Sequence, residues 1–196
     1  SGAIASFSAP VEDGDLVSVV DSKGRPLGTG HFGGGSIAVR LLSFDAEEVI
    51  DRAFYKRRLE AALRLRLSCD LVRPVGSSDS PNTTYRLVHG EGDSLPGLII
   101  DIYDRTAVVQ AHSLGMHQVR QTIAEVLWEV FAEAGDPVLP LEGIYYKSET
   151  TLPTRDMREL ASDGFLIGHT EAAPIYENGV RYTPDWLKGQ KTGFFI

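Results

Sequence analysis

The sequence predicts an α+β protein in which a small all-β unit leads into a sheet covered by helix, and three features carry that expectation. Short apolar runs broken by turn residues fill the first 42 positions, a helix-periodic stretch rich in arginine follows, and strand-like runs then bracket one long amphipathic helix. The second unit is therefore expected as a β-β-α-β-β arrangement, with the helix covering one face of a mixed or antiparallel sheet.

In the first unit, Leu16 to Val20, the region of Leu27, and Ile37 to Leu42 read as strands. They are separated by Asp13-Gly14-Asp15, Ser22-Lys23-Gly24 and Gly33-Gly34-Gly35. Some forty residues bury too little surface to be stable alone, so this unit either leans on the next segment or lacks strands ahead of Ser1. The glycine triplet precedes a strand, so it cannot aim a helix N-terminus at a phosphate.

Asp45-Ala46-Glu47-Glu48 matches a capping box, so a helix is expected to begin at Asp45, with Ile50, Phe54, Ala61 and Leu65 as its apolar stripe. Arg52, Lys56, Arg57, Arg58, Arg64 and Arg66 crowd the remaining faces. Two readings stand: a solvated face helped by Asp51 and Glu60, or a face that meets phosphates.

Pro74 to Thr83 has loop composition. Beyond it, Tyr85 to Val88 and Leu98 to Ile102 read as paired strands around a loop dense in glycine and carboxylates, His89 to Gly97. A loop held on a rigid strand pair is a natural place for binding residues, which makes Glu91 and Asp93 site candidates. The same Gly-Glu-Gly-Asp run is also ordinary turn chemistry. A third strand follows at Ala107 to His112. Val119, Ile123, Val126, Leu127, Val130, Phe131 and Ala134 then mark a helix closed by Gly135, with Pro137 just beyond. Gly143 to Tyr146 and Phe165 to Ile167 complete the strands, and Ala173 to Tyr182 reads as a hairpin turning at Glu177-Asn178-Gly179. The last residues, Phe194-Phe195-Ile196, form an apolar run that needs cover.

Composition narrows the functional classes. With 42% hydrophobic and 23% charged residues the chain is an ordinary globular one, and a net charge of −8 argues against indiscriminate nucleic-acid binding while leaving room for a local basic face. The single cysteine, Cys69, excludes an internal disulfide and a cysteine-rich zinc site, and is expected to be a small, buried or half-buried residue. His31, His89, His112, His117 and His169 are dispersed, so no metal site is expected. No apolar run is long enough to span a membrane and no signal-peptide pattern is present, which fits a cytoplasmic protein.

Two blocks in fixed order carry a family resemblance. One runs from Tyr85-Arg86-Leu87-Val88 through Glu91-Gly92-Asp93 and Leu95-Pro96-Gly97-Leu98 to Asp101; the other is Gly189-Gln190-Lys191-Thr192-Gly193-Phe194-Phe195. Together they resemble the RlmI (YccW) family of S-adenosylmethionine-dependent methyltransferases, whose characterised members act on cytosine C5 of ribosomal RNA. Asp13 to Val17, Gly24, Leu27 to Gly30 and Ser36 to Leu42 are similar to that family's N-terminal PUA domain, a small RNA-binding β-barrel. Lys147-Ser148-Glu149 departs from the family's Arg-Ser-Asp-like sequence, and no glycine follows Glu159.

The resemblance implies a division into residues 1–44 (PUA-like, incomplete at its start), 45–73 (a basic linker helix), 74–185 (the central α+β domain) and 186–196 (the first segment of a Rossmann-like methyltransferase domain absent from the chain). It implies an RNA-facing stripe in which Lys23, Arg25 and Arg40 join the helix cations Arg52, Lys56, Arg57, Arg58, Arg64 and Arg66. Glu91 and Asp93 would face the substrate cleft, and Gln190, Lys191, Thr192 and Phe194 would lie near S-adenosylmethionine. Structured ribosomal RNA is the implied partner, with the missing catalytic domain and, as a further option, a second copy of the chain. Cys69 matches no catalytic position, so the chain by itself is expected to be inactive. A stand-alone PUA-type RNA-binding module is the competing reading, and a hydrolase using Glu91 and Asp93 ranks behind both.

Overall fold

The computed structural model describes residues 4–154, 157, 159 and 161–185. The chain opens on an antiparallel three-stranded sheet ordered β1-β2-β3, formed by Leu16–Val20, Pro26–Phe32 and Val39–Ser43. The glycine triplet forms the β2–β3 connection, where the Gly34 amide donates to Asp13 Oδ1 at 2.5 Å.

Helix α1 spans Arg52–Ser68, six residues later than the capping-box pattern, with Asp45 as its N-cap, predicts. Asp45 does accept backbone hydrogen bonds, from Glu47 and Glu48, but they close an isolated turn. Asp51 is the true N-cap, its Oδ1 accepting from the Phe54 amide at 2.9 Å. The buried face also differs from the predicted stripe. Phe54, Tyr55, Leu59, Ala62, Leu63 and Arg66 face inward, whereas Leu65 is 50% exposed and Ala61 is exposed. Cys69, expected to be at least half-buried, is exposed at the C-cap.

The second unit is a five-stranded sheet ordered β4-β5-β6-β7-β8, from Thr84–His89, Leu98–Tyr103, Thr106–Ala111, Gly143–Tyr146 and Gly164–Gly168. Only the β6–β7 pair is parallel among these neighbours. The crossover that a parallel pair requires is supplied by α2 (Leu114–Gln118) and α3 (Arg120–Ala134). Three strands thus precede the helical crossover and two follow it, in keeping with the α+β class. The short α2 has no counterpart in the sequence reading.

Strand alternation places Leu98, Ile100 and Ile102 of β5 and Ala107, Val109 and Ala111 of β6 on one face, where they join α1 and α3 in a single core. Arg52 pairs with Glu129, and Lys56 with Glu133 at 2.7 Å, so the rim of the α1–α3 contact is laced by charge. The opposite face carries a smaller apolar cluster of Tyr103, Val108 and Ile175. Ile175 belongs to a separate hairpin, β9 (Ile175–Glu177) and β10 (Val180–Tyr182). Its Asn178-Gly179 turn has φ of 48° and 84°, the positive values that a two-residue turn of this hand demands.

The first sheet leans on the second unit through α2. Gly115 comes so close to His31 of β2 that a Cβ there would meet the imidazole, and Gly14 lies similarly against the Gln118 side chain. His117, from the same short helix, bonds through Nδ1 to Tyr146 Oη at 2.7 Å, tying α2 to β7.

Candidate nucleic-acid interface

Where the two sheets meet, an open cleft of about 230 Å³ lies between β3 and the β4–β5 connection. Its walls are Arg40 from β3, Gly90 and Glu91 from a single 3-10 turn (Gly90–Asp93), Gly97 to Ile99 at the start of β5, and His112 just beyond β6. Gly90 and Gly97 have φ of 53° and 84°, so the loop can fold over the strand ends without a Cβ in the way. The His112 amide donates to the Gly97 carbonyl at 2.8 Å and closes the floor.

The charges around this cleft are unevenly satisfied. Arg86 of β4 is held by Asp101, with Nε to Oδ1 at 2.8 Å and Nη2 to Oδ2 at 3.1 Å. Arg40 is half-buried and, like Glu91, forms no ion pair with any described residue. The His112 imidazole is pushed below its ordinary pKa by desolvation first, then by Arg86 and Arg40, with Glu91 opposing.

The two carboxylates predicted as a pair part company. Glu91 lines the cleft, whereas Asp93 turns inward and grips the Arg66 guanidinium with both oxygens, one of them at 2.8 Å from Nη2. The predicted cations divide likewise. Arg57 and Arg58 share Glu48, Arg64 faces Glu60 at 3.7 Å, and Arg25 faces Asp21 at 2.7 Å. Arg52 and Lys56 reach across to α3. Lys23 is exposed, and its ammonium has no carboxylate among the described residues within ion-pair distance. Gln190, Lys191, Thr192 and Phe194 lie outside the described residues.

Lys147-Ser148-Glu149 is a structural latch. The fully buried Ser148 accepts from the Ala111 amide through Oγ at 2.8 Å, and Asp163 Oδ1 accepts from the amides of Ser148 and Glu149. His112 and His31 were not singled out by sequence, since a dispersed histidine carries no spacing signal.

His31 gives a pH prediction. Only 6% exposed, it is pushed by burial to a pKa of about 4. Between that value and the ~6.5 of an unfolded chain, the unfolded state takes a proton that the folded state refuses. Stability present above pH 6.5 is therefore lost as pH falls toward 4, at up to about 1.4 kcal/mol per pH unit. Burial shifts His112 and His117 in the same direction. Urea titrations at pH 7 and pH 5 should show a smaller pH dependence for His31→Gln than for the wild type, and identical dependence would refute this account.

The fold and the cleft define a class: a small β unit docked on an α+β sheet, with a mixed-charge groove at the junction. A family model described as a PUA-like domain matches residues 1–44. Over 186 residues the chain is 39% identical to the ribosomal RNA large subunit methyltransferase I of Shewanella amazonensis, an alignment covering 93% of this chain and 43% of that protein. The Escherichia coli O139:H28 protein of the same name is 32% identical over 199 residues, covering 100% of this chain and 46% of the relative. The chain thus spans less than half the length of these curated relatives. Among solved structures, a putative SAM-dependent methyltransferase from Streptococcus mutans superposes with a TM-score of 0.67 at 20% identity, over 89% of this chain and 40% of that one. A second, a putative methyltransferase complexed with SAH, gives 0.66 at 19% identity, over 87% of this chain and 39% of that one. At such identities these two establish the fold. The RlmI-like resemblance, the α+β class and the PUA-like start are borne out.

Proposed function

We propose that this chain is the RNA-recognising portion of an S-adenosylmethionine-dependent methyltransferase of the cytoplasm that acts on cytosine C5 of large-subunit ribosomal RNA. The observation that carries the reading is similarity to ribosomal RNA large subunit methyltransferase I along 93% of the chain, beginning in the PUA-like segment. S-adenosylmethionine, when bound, supplies the methyl group. Gln190, Lys191, Thr192 and Phe194 are the residues proposed to lie near it. What the described residues contribute is grip and orientation. Folded RNA is held through phosphates, shape and splayed bases, and a base that is to react must leave its stack.

The cations do not contribute equally. Lys23 and Arg40 offer charge with no carboxylate to displace. Arg25, Arg57, Arg58 and Arg64 stay accessible but must exchange an existing pair for a phosphate. Arg66 is committed to Asp93 and serves the fold. Reversing Lys23 and Arg40 together should weaken binding to a ribosomal RNA fragment and flatten the salt slope by about one unit per lost phosphate contact. Arg57→Glu with Arg58→Glu should do less. Fluorescence anisotropy across a salt series reads both; unchanged slopes in both double variants would overturn the stripe. Methyl transfer to that RNA by the chain joined to its downstream sequence, and none by the chain alone, separates this reading from a stand-alone RNA-binding module.

A further inference from the structure

We propose that the cleft between β3 and the β4–β5 connection receives one nucleotide, with its phosphate on the Arg40 guanidinium and the amino-bearing edge of its base on the Glu91 carboxylate. This deepens the RNA-recognition reading and rests on it for the polymer to which that nucleotide belongs.

Three observations carry it. First, opposite charges line one groove without closing on each other. Arg40 and Glu91 both border the cleft, yet no ion pair joins them or links either to another described residue. Around them the acids and bases pair freely, as Arg86 does with Asp101 and Arg66 with Asp93. A half-buried guanidinium left unpaired beside such neighbours is a ready anion receptor, and a free carboxylate across the groove adds an acceptor. A ligand that satisfies both must carry an anionic end and a donor end.

Second, size and surface suit a single nucleotide. About 230 Å³ lies below the ~300–1,000 Å³ of pockets that enclose drug-sized ligands, so this open cleft seats the phosphate and base edge of one nucleotide against its wall and leaves the rest in solvent. The wall is partly backbone, from Gly90 and Gly97, where no side chain stands in the way, and the half-exposed Ile99 beside it offers an apolar contact for a base. His112 opens onto the same space as a neutral ring able to donate or accept. Third, the cleft is built jointly. Arg40 comes from the PUA-like sheet and Glu91 from the α+β unit, so a nucleotide seated there reads the docked arrangement of the two.

A carboxylate accepting from an exocyclic amine is the pairing by which acidic side chains select cytosine N4. Cytidine 5′-monophosphate should therefore bind better than the uridine analogue. The test is an NMR titration of the isotope-labelled chain with each monophosphate and with inorganic phosphate, run beside anisotropy with the RNA fragment. The cytidine nucleotide should shift the Arg40 Nε–H, the amides of Gly90, Glu91 and Ile99, and the His112 ring. Arg40→Ala should weaken that binding about ten-fold, the loss of one charge-assisted contact. Glu91→Gln should abolish the preference for cytidine over uridine. Both side chains are partly or fully exposed and unpaired, so either variant should fold, and its amide spectrum verifies this. Should inorganic phosphate reproduce every shift, the cleft is an anion site and the proposal fails. It fails equally if RNA binds while the cytidine nucleotide leaves the cleft resonances unmoved. Nucleotide binding at the cleft without any RNA binding would retain the site and sink the function proposed above.

Discussion

Replacing Asp93 by alanine should cost the protein about 3–5 kcal/mol, because it leaves the Arg66 guanidinium buried with no counter-charge. The side chains of Arg66 and Asp93 are 11% and 4% exposed. Arg66 uses Nη1 and Nη2 on the two carboxylate oxygens and Nε on the Arg86 carbonyl at 2.9 Å, while Asp93 Oδ2 also accepts from the His89 amide at 2.6 Å. Three of these bonds pin α1 to the 3-10 turn and to β4, and the fourth, from the His89 amide, ties the turn itself to β4. Arg66→Ala strands the carboxylate instead and should cost a similar amount. Changing both partners to apolar residues of similar size, as in Arg66→Met with Asp93→Leu, should recover part of the loss, because no buried charge is then orphaned, although the Arg86 carbonyl and His89 amide lose partners. Urea unfolding of the single and double variants reads the effect. A loss below 1 kcal/mol for Asp93→Ala would show that this pair is solvated in practice.

That pair also shows where sequence stops being informative. The strands around residues 85–88 and 98–102, helix α3 with its Gly135 stop, and the Asn178-Gly179 hairpin were all readable because their signals are local: alternation, periodicity, and residues tolerant of positive φ. The inner face of α1 was not. Periodicity counted from apolar residues selects Leu65, but the inward position is Arg66, made tolerable by an aspartate 27 residues further on. The start of α1 misled for a similar reason, since Asp45 and Asp51 offer equivalent cap chemistry and only packing decides between them. The cleft is further still from local reading. Arg40, Glu91 and His112 have no spacing in common, and the docking of the first sheet on α2 is what brings them to one groove.

That docking is open to a direct test at Gly115, where valine should destabilise the protein by about 3 kcal/mol, the upper end of ordinary overpacking penalties. A Cβ at this position would sit 2.7 Å from the His31 Cβ and closer still to the ring, and a branched side chain adds two methyl groups to that conflict. His31 is only 6% exposed and has little room to retreat, while α2 is held on its other side by the bond from His117 to Tyr146. Moving from glycine to valine in a helix gains a few tenths of a kcal/mol in propensity, far less than the clash costs. If the imidazole is what the valine strikes, His31→Ala should open the space, and the double variant should be markedly more stable than the sum of the single losses predicts. Simple additivity in thermal or urea unfolding would mean the two residues do not share this contact. Because Arg40 lies on the strand paired to His31, the Gly115→Val chain should also bind the cytidine nucleotide more weakly, and His31→Ala should restore that binding along with stability.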